Sequence, residues 1–83
     1  EPGNAAIIDS YGWVLFRLGK SRAALDHLRH AYALQQDPDI ASHLGQVLWV
    51  LGQKDEARKY FEAARKLDPD NRSLQRALQE TGA

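Results

Sequence analysis

The chain has 83 residues, 43 % of them apolar and 27 % charged, with eleven basic residues balancing eleven acidic ones. That is the composition of one small globular domain, burying roughly 60–65 % of its extended surface, and a zero net charge exerts no long-range pull on nucleic acid or an anionic membrane. With no cysteine there is neither a disulfide scaffold nor a thiolate metal site, and no apolar run approaches the roughly 20 residues of a spanning helix.

Glu1 to Asn4 is a polar lead-in with neither methionine nor signal peptide, which reads as the start of a segment excised from a longer parent. Asn4 is placed to cap a first helix. From Ala5, the residues Ile7, Ile8, Tyr11, Val14, Leu15 and Leu18 recur at spacings of three and four, marking one face of that helix. Gly19 supplies its stop. Ser21 is expected to cap a second helix over about residues 22–34, with Leu25, Leu28, Ala31 and Tyr32 inward. The Gly-Lys-Ser turn is so short that the two helices must lie antiparallel.

Asp37 and Pro38 restart the pattern as N-cap and first helical residue, and predict a third helix over 38–51 that ends at Gly52. A fourth follows over about 55–67, with Ala57, Tyr60, Phe61, Ala64 and Leu67 as its packing stripe. Its Asp55 and Glu56 lie at the positive end of the helix dipole, and Arg65 and Lys66 at the negative end. After the Asp68-Pro69-Asp70 stop, Leu74, Ala77 and Leu78 predict a short fifth helix covering the open side of the preceding pair.

The two helix pairs are copies. Gly12 matches Gly45, Leu18-Gly19 matches Leu51-Gly52, Ala24 matches Ala57 and Ala31 matches Ala64, always 33 residues apart. Glycine inside a helix costs about 0.5–1 kcal/mol relative to alanine. Its use at equivalent places in both copies predicts close approach of the paired helix, at Ala24 and Ala57 and again at Ala31 and Ala64. Leu15, Leu28, Leu48 and Phe61 fill the space on either side.

These residues resemble the tetratricopeptide repeat. In the second copy Leu44-Gly45, Leu48, Gly52, Ala57, Phe61, Ala64 and Pro69 fall on the family's signature places, as do Tyr11-Gly12, Leu15, Gly19, Ala24, Leu28 and Ala31 in the first. The first copy departs in having 33 rather than about 34 residues and Gln36 where a repeat-ending proline belongs. The resemblance implies an all-α fold, an α-α superhelix of two tetratricopeptide hairpins (5–37 and 38–71) and a C-terminal capping helix (72–81). The wording of the motifs also looks like the C-terminal repeats of larger bacterial proteins, including lipoproteins facing the periplasm. That points to a periplasmic or outer-membrane-tethered parent and leaves the cytoplasm open.

The family further implies a concave groove, lined by the first helix of each hairpin, for a protein or peptide segment. Its places fall on Ala6, Asp9, Trp13, Phe16 and Arg17, then on Asp39, Ser42, Gln46, Trp49 and Val50. Asp9, Trp13, Phe16, Arg17, Gln46, Trp49 and Val50 are therefore the candidate protein-binding residues, with tryptophan and arginine the types that dominate interface energies. The variant that clamps a C-terminal carboxylate needs Lys and Asn where Asp9 and Trp13, then Ser42 and Gln46, stand, so that mode is not expected. The alternative reading is structural: the aromatic residues pack against further repeats, and these hairpins close a longer superhelix whose groove lies upstream. Ile7, Leu25 and their neighbours have no upstream hairpin to cover them, which predicts self-association through that face.

Other constellations carry no chemistry. His27 and His30 share a spacing of three without a third ligand, and with His43 read as solvated surface residues. Gly19-Lys20-Ser21 lacks the glycine-rich turn of a phosphate loop. Lys54, Arg58, Lys59, Arg65 and Lys66 alternate with Asp55, Glu56 and Glu62, as on a solvated helix face. No catalytic, cofactor or metal site is predicted, nor insertion of this segment into a membrane.

Overall fold

The computed structural model describes residues 3–83. Among them five helices follow one another: α1 (Ala5–Arg17), α2 (Ser21–Leu34), α3 (Pro38–Val50), α4 (Lys54–Leu67) and α5 (Arg72–Thr81). The arrangement is all-α, two antiparallel helical hairpins and a capping helix.

Local chemistry sets the ends. Asn4 Oδ1 accepts from the Ile7 amide, Asp37 from those of Asp39 and Ile40, and Asn71 from that of Leu74, so α1, α3 and α5 each start on a side-chain cap. Both hairpin turns close alike. The Gly19 and Lys20 amides bond the Phe16 and Leu15 carbonyls, and the Gly52 and Gln53 amides bond those of Trp49 and Leu48. This paired closure needs a left-handed residue after the helix, met by Gly19 at φ +85° and Gly52 at φ +88°. It also corrects the expected cap at Ser21. The turn returns the chain into α2 so early that Ser21 is already helical, and Lys20 holds the cap place with no side-chain bond.

α1 lies along α2, α3 along α4, and α3 also packs on α2. Leu25, Leu28, Leu44, Val47, Leu48 and Phe61 form one core with Ala24, Ala41, Ala57 and Ala64, extended by Leu74 and Ala77 of α5. A Cβ on Gly45 would stand 2.6 Å from Phe61 Cε1 and 3.2 Å from the Ala57 carbonyl, and one on Gly12 would stand 3.1 Å from Leu28 Cδ2. The bare glycines let α4 and α2 approach that closely. Between the hairpins, Arg29 of α2 forks onto the Glu56 carboxylate of α4 (2.8 and 3.2 Å), and Tyr32 meets Tyr60 edge-on.

On the α1 face Ile7, Tyr11, Val14 and Leu18 are 57, 55, 54 and 67 % exposed, as expected of Ile7 and its neighbours with no hairpin over them. Two expectations are corrected. Leu25, expected to lie uncovered beside Ile7, is buried, because α3 packs over it. Leu67 is exposed at the C-terminal end of α4. A third difference concerns α5, which lies against α3 and barely touches α4. Small Ala77, fully buried, lets it settle on α3. A cleft of about 300 Å³, lined by Arg58, Phe61, Glu62, Arg65, Leu74, Leu78 and Ala83, separates it from α4.

Candidate functional site

Asp9 and Trp13 are four residues apart, one above the other on α1, and face His43 of α3. The buried Asp9 carboxylate accepts from His43 Nδ1 at 2.9 Å, and the imidazole stacks on the Trp13 indole with centroids 4.1 Å apart and planes 21° from parallel. Phe16 packs beside Trp13 at 5.1 Å. The Arg17 guanidinium sits 6.0 Å from the Trp13 ring, at the outer edge of the separation at which a cation feels an indole face. Trp13 and Phe16 are half-buried and Arg17 is exposed. The rings are thus held from beneath and open above.

The corresponding places of the second copy differ. Ser42 is fully buried, its hydroxyl donating to the Pro38 carbonyl at 2.7 Å. Gln46 is buried, with its amide donating to Glu80 of α5. Asp39 accepts from the Asn71 side chain at 2.9 Å, just ahead of α5. The capping helix therefore lies along the side of α3 that carries Asp39 and Gln46. Glu80 also comes within 3.9 Å of Arg17, which brings the end of α5 to the margin of the aromatic strip. Val50 and Ala6 are exposed.

Trp49 is placed apart from Trp13. It is half-buried against the core, with Lys54 Nζ 4.8 Å and the Arg58 guanidinium 5.2 Å from its ring. Six residues separate it from His43, which at 3.6 residues per turn is about 120° around α3. Trp13 is stacked on one side of that helix and Trp49 shielded by α4 on another. Asp9, Trp13, Phe16, Arg17 and His43 are brought together; Trp49 is not among them.

His43 is the residue that sequence reasoning missed. It is not a solvated histidine: its side chain is 18 % exposed, clamped between Asp9 and Trp13. The available signal was the spacing of 34 residues between Asp9 and His43, about one repeat, which sets residues of neighbouring first helices side by side. His27 meets the edge of Tyr11 at 4.9 Å. Among the described residues no three or more His, Cys, Asp or Glu side chains gather as a metal site, and no helix is long and apolar enough to cross a membrane. The displaced pKa values belong to pairs on α2 and α4. The Arg29 hydrogen bonds hold the Glu56 carboxyl below its usual range and raise the guanidinium in turn, while burial, aided by Tyr60, raises the Tyr32 phenol.

Comparison with known proteins agrees with this architecture. The family model described as tetratricopeptide repeat matches residues 12–72. A TPR repeat-containing protein of Pseudomonas aeruginosa is 41 % identical over 46 residues, which is 55 % of this chain and 8 % of that relative. The chain thus spans only a small part of the relative's length. No solved structure matches.

Proposed function

The chain belongs to the tetratricopeptide repeat family, and on that premise we propose that it is a protein-interaction module whose contact surface is the aromatic strip of α1 where it runs beside α3. The observation that carries this reading is the asymmetry between the copies. Trp13 is half-buried beside a stacked imidazole, while its counterpart Gln46 is buried and bonded to Glu80 of α5; the other matched places agree, with Asp9 and Ser42 buried, Phe16 and Trp49 half-buried, and Arg17 and Val50 exposed. The contact is therefore drawn toward the first hairpin and bounded by Glu80.

The bracing matters as much as the exposure. An indole already fixed by a stacked imidazole loses little freedom when a partner covers it, and preorganisation of this kind raises affinity without adding contacts. The partner that suits the strip is a peptide segment presenting an apolar or aromatic side chain to Trp13 and Phe16, with a carbonyl or carboxylate for Arg17. Val50 and Gln46 form its margin, and Trp49 steadies the turn between α3 and α4.

Display selection of peptides on the folded chain, followed by NMR mapping of the selected ligand, tests this. The expected result is that perturbations centre on the Trp13 indole and the Phe16 and Arg17 amides, and that Trp13→Ala loses binding while Trp49→Ala retains it. Ligands mapping to Trp49 and Arg58 instead would defeat the assignment.

A further inference from the structure

α4 does not carry α5 in the way that α2 carries α3. α2 meets α3 through Leu25, in the common core, and Tyr32, packed at its edge. At the equivalent places, 33 residues on, α4 has Arg58 for Leu25, Glu62 for Arg29 and Arg65 for Tyr32. α5 leans on α3 instead, and the cleft of about 300 Å³ stays open beside α4. Phe61 and Leu74, both buried, and half-buried Leu78 form its apolar inside, while Arg58, Glu62 and Arg65 stand exposed at its mouth. Its volume falls at the small end of the range for ligand pockets, roughly 300–1,000 Å³.

The charges at the mouth are held in place. The Arg58 guanidinium lies 5.2 Å from the Trp49 ring and donates to Asp55 at 3.3 Å, which leaves most of its five N–H groups free. Arg65 donates to Glu62, so a carboxylate is already accommodated at this mouth. Lys54, on the same Trp49 ring at 4.8 Å, makes three positive groups against the two acids. Asp55 is fully exposed, and such surface pairs contribute little, so an incoming carboxylate displaces it at small cost.

We propose that the α4–α5 cleft is a binding site for a small amphiphilic carboxylate. Its aryl or branched-alkyl body lodges among Phe61, Leu74 and Leu78, and its carboxylate forks onto Arg58 in the field of Arg65. Trp49 then has a second role, keeping Arg58 over the cleft. No residue of the Trp13 strip lines this cleft, so the two sites stand or fall separately.

Phenylbutyrate and its neutral amide, titrated into the isotope-labelled chain at low salt, test this by NMR. The acid is expected to shift Phe61, Leu74 and Leu78 saturably and to bind about tenfold more tightly than the amide. Arg58→Gln is expected to abolish that preference. Glu62→Gln should tighten the acid about threefold by freeing Arg65 and removing a like charge, and Arg22→Gln on α2 should change nothing. All three side chains are exposed, and an unchanged Tm verifies that each variant is folded. Equal binding of acid and amide would mean an apolar slot open to any partner side chain, and would overturn the carboxylate assignment. A preference that survives Arg58→Gln, shifts scattered over the other basic residues, or no saturation by roughly 10 mM acid would overturn it too.

Discussion

Asp9 and His43, on neighbouring first helices, are joined by a 2.9 Å hydrogen bond that locks the imidazole against the Trp13 indole. An ionised carboxylate only accepts, so the bond also orients the ring. Removing the carboxylate leaves His43 Nδ1 without its partner beneath a stacked indole. Asp9→Ala is expected to cost about 1–2 kcal/mol and to release the Trp13 ring. Urea unfolding and the width of the Trp13 indole resonance check this; an unchanged linewidth would show that stacking alone suffices to hold the ring.

The two mid-helix glycines should respond differently to alanine. At Gly45 the new methyl meets Phe61, which is packed in the core, and the Ala57 carbonyl, so overpacking of about 1–3 kcal/mol outweighs the gain in helix propensity. At Gly12 the Leu28 contacts lie at 3.1 Å and a small shift relieves them. Gly12→Ala is therefore expected within about 1 kcal/mol of the parent. Parallel chemical denaturation of both variants decides, and equal losses would contradict the difference in packing.

The Arg29–Glu56 fork yields a pH dependence with a definite sign. Because the folded Glu56 carboxyl titrates below its usual value, its contribution is present at neutral pH and is lost as pH falls through that lowered value. The two side chains are 40 and 35 % exposed, so solvent screening limits the pair to about 0.5 kcal/mol. Glu56→Gln should lower stability by that amount at pH 7 and leave it unchanged near pH 3, with the difference shrinking in high salt. Denaturation curves at the two pH values measure it.

α5 should be held chiefly by one leucine. Leu74 is buried in the common core, whereas Leu78 stands half-buried at the cleft beside α4. Leu74→Ala is expected to cost about 2–4 kcal/mol and Leu78→Ala about 1 kcal/mol or less. Thermal unfolding followed by circular dichroism would rank them; the reverse order would mean that α5 is anchored on α4.

The hairpins, their order and the tight glycines were legible because each rests on local chemistry: caps, left-handed stops and a period repeated twice. The capping bond expected of Ser21 failed because a three-residue turn has no room for a separate cap. The α1 stripe shows a broader boundary. Periodicity tells that Ile7, Tyr11, Val14 and Leu18 share a face, and only the neighbouring helix decides whether that face is covered. His43 was misread for a related reason. Its partners Asp9 and Trp13 belong to another hairpin, and composition alone gives a histidine no address. Trp13 and Trp49 occupy equivalent helices yet meet different neighbours, since Trp13 stacks on His43 of α3 while Trp49 lies beside Lys54 and Arg58 of α4.

The charges that Arg58, Glu62 and Arg65 place along α4 bear on how copies behave in a crowded solution. An apolar face at one end of a stack and a matching one at the other would make a head-to-tail contact, and such contacts, unless they close into a ring, grow filaments without limit. Here the far end offers guanidinium and carboxylate groups where a mate would need leucine and tyrosine. Head-to-tail growth of copies through α4 is thereby disfavoured, which works against an adhesive repeat becoming a fibre.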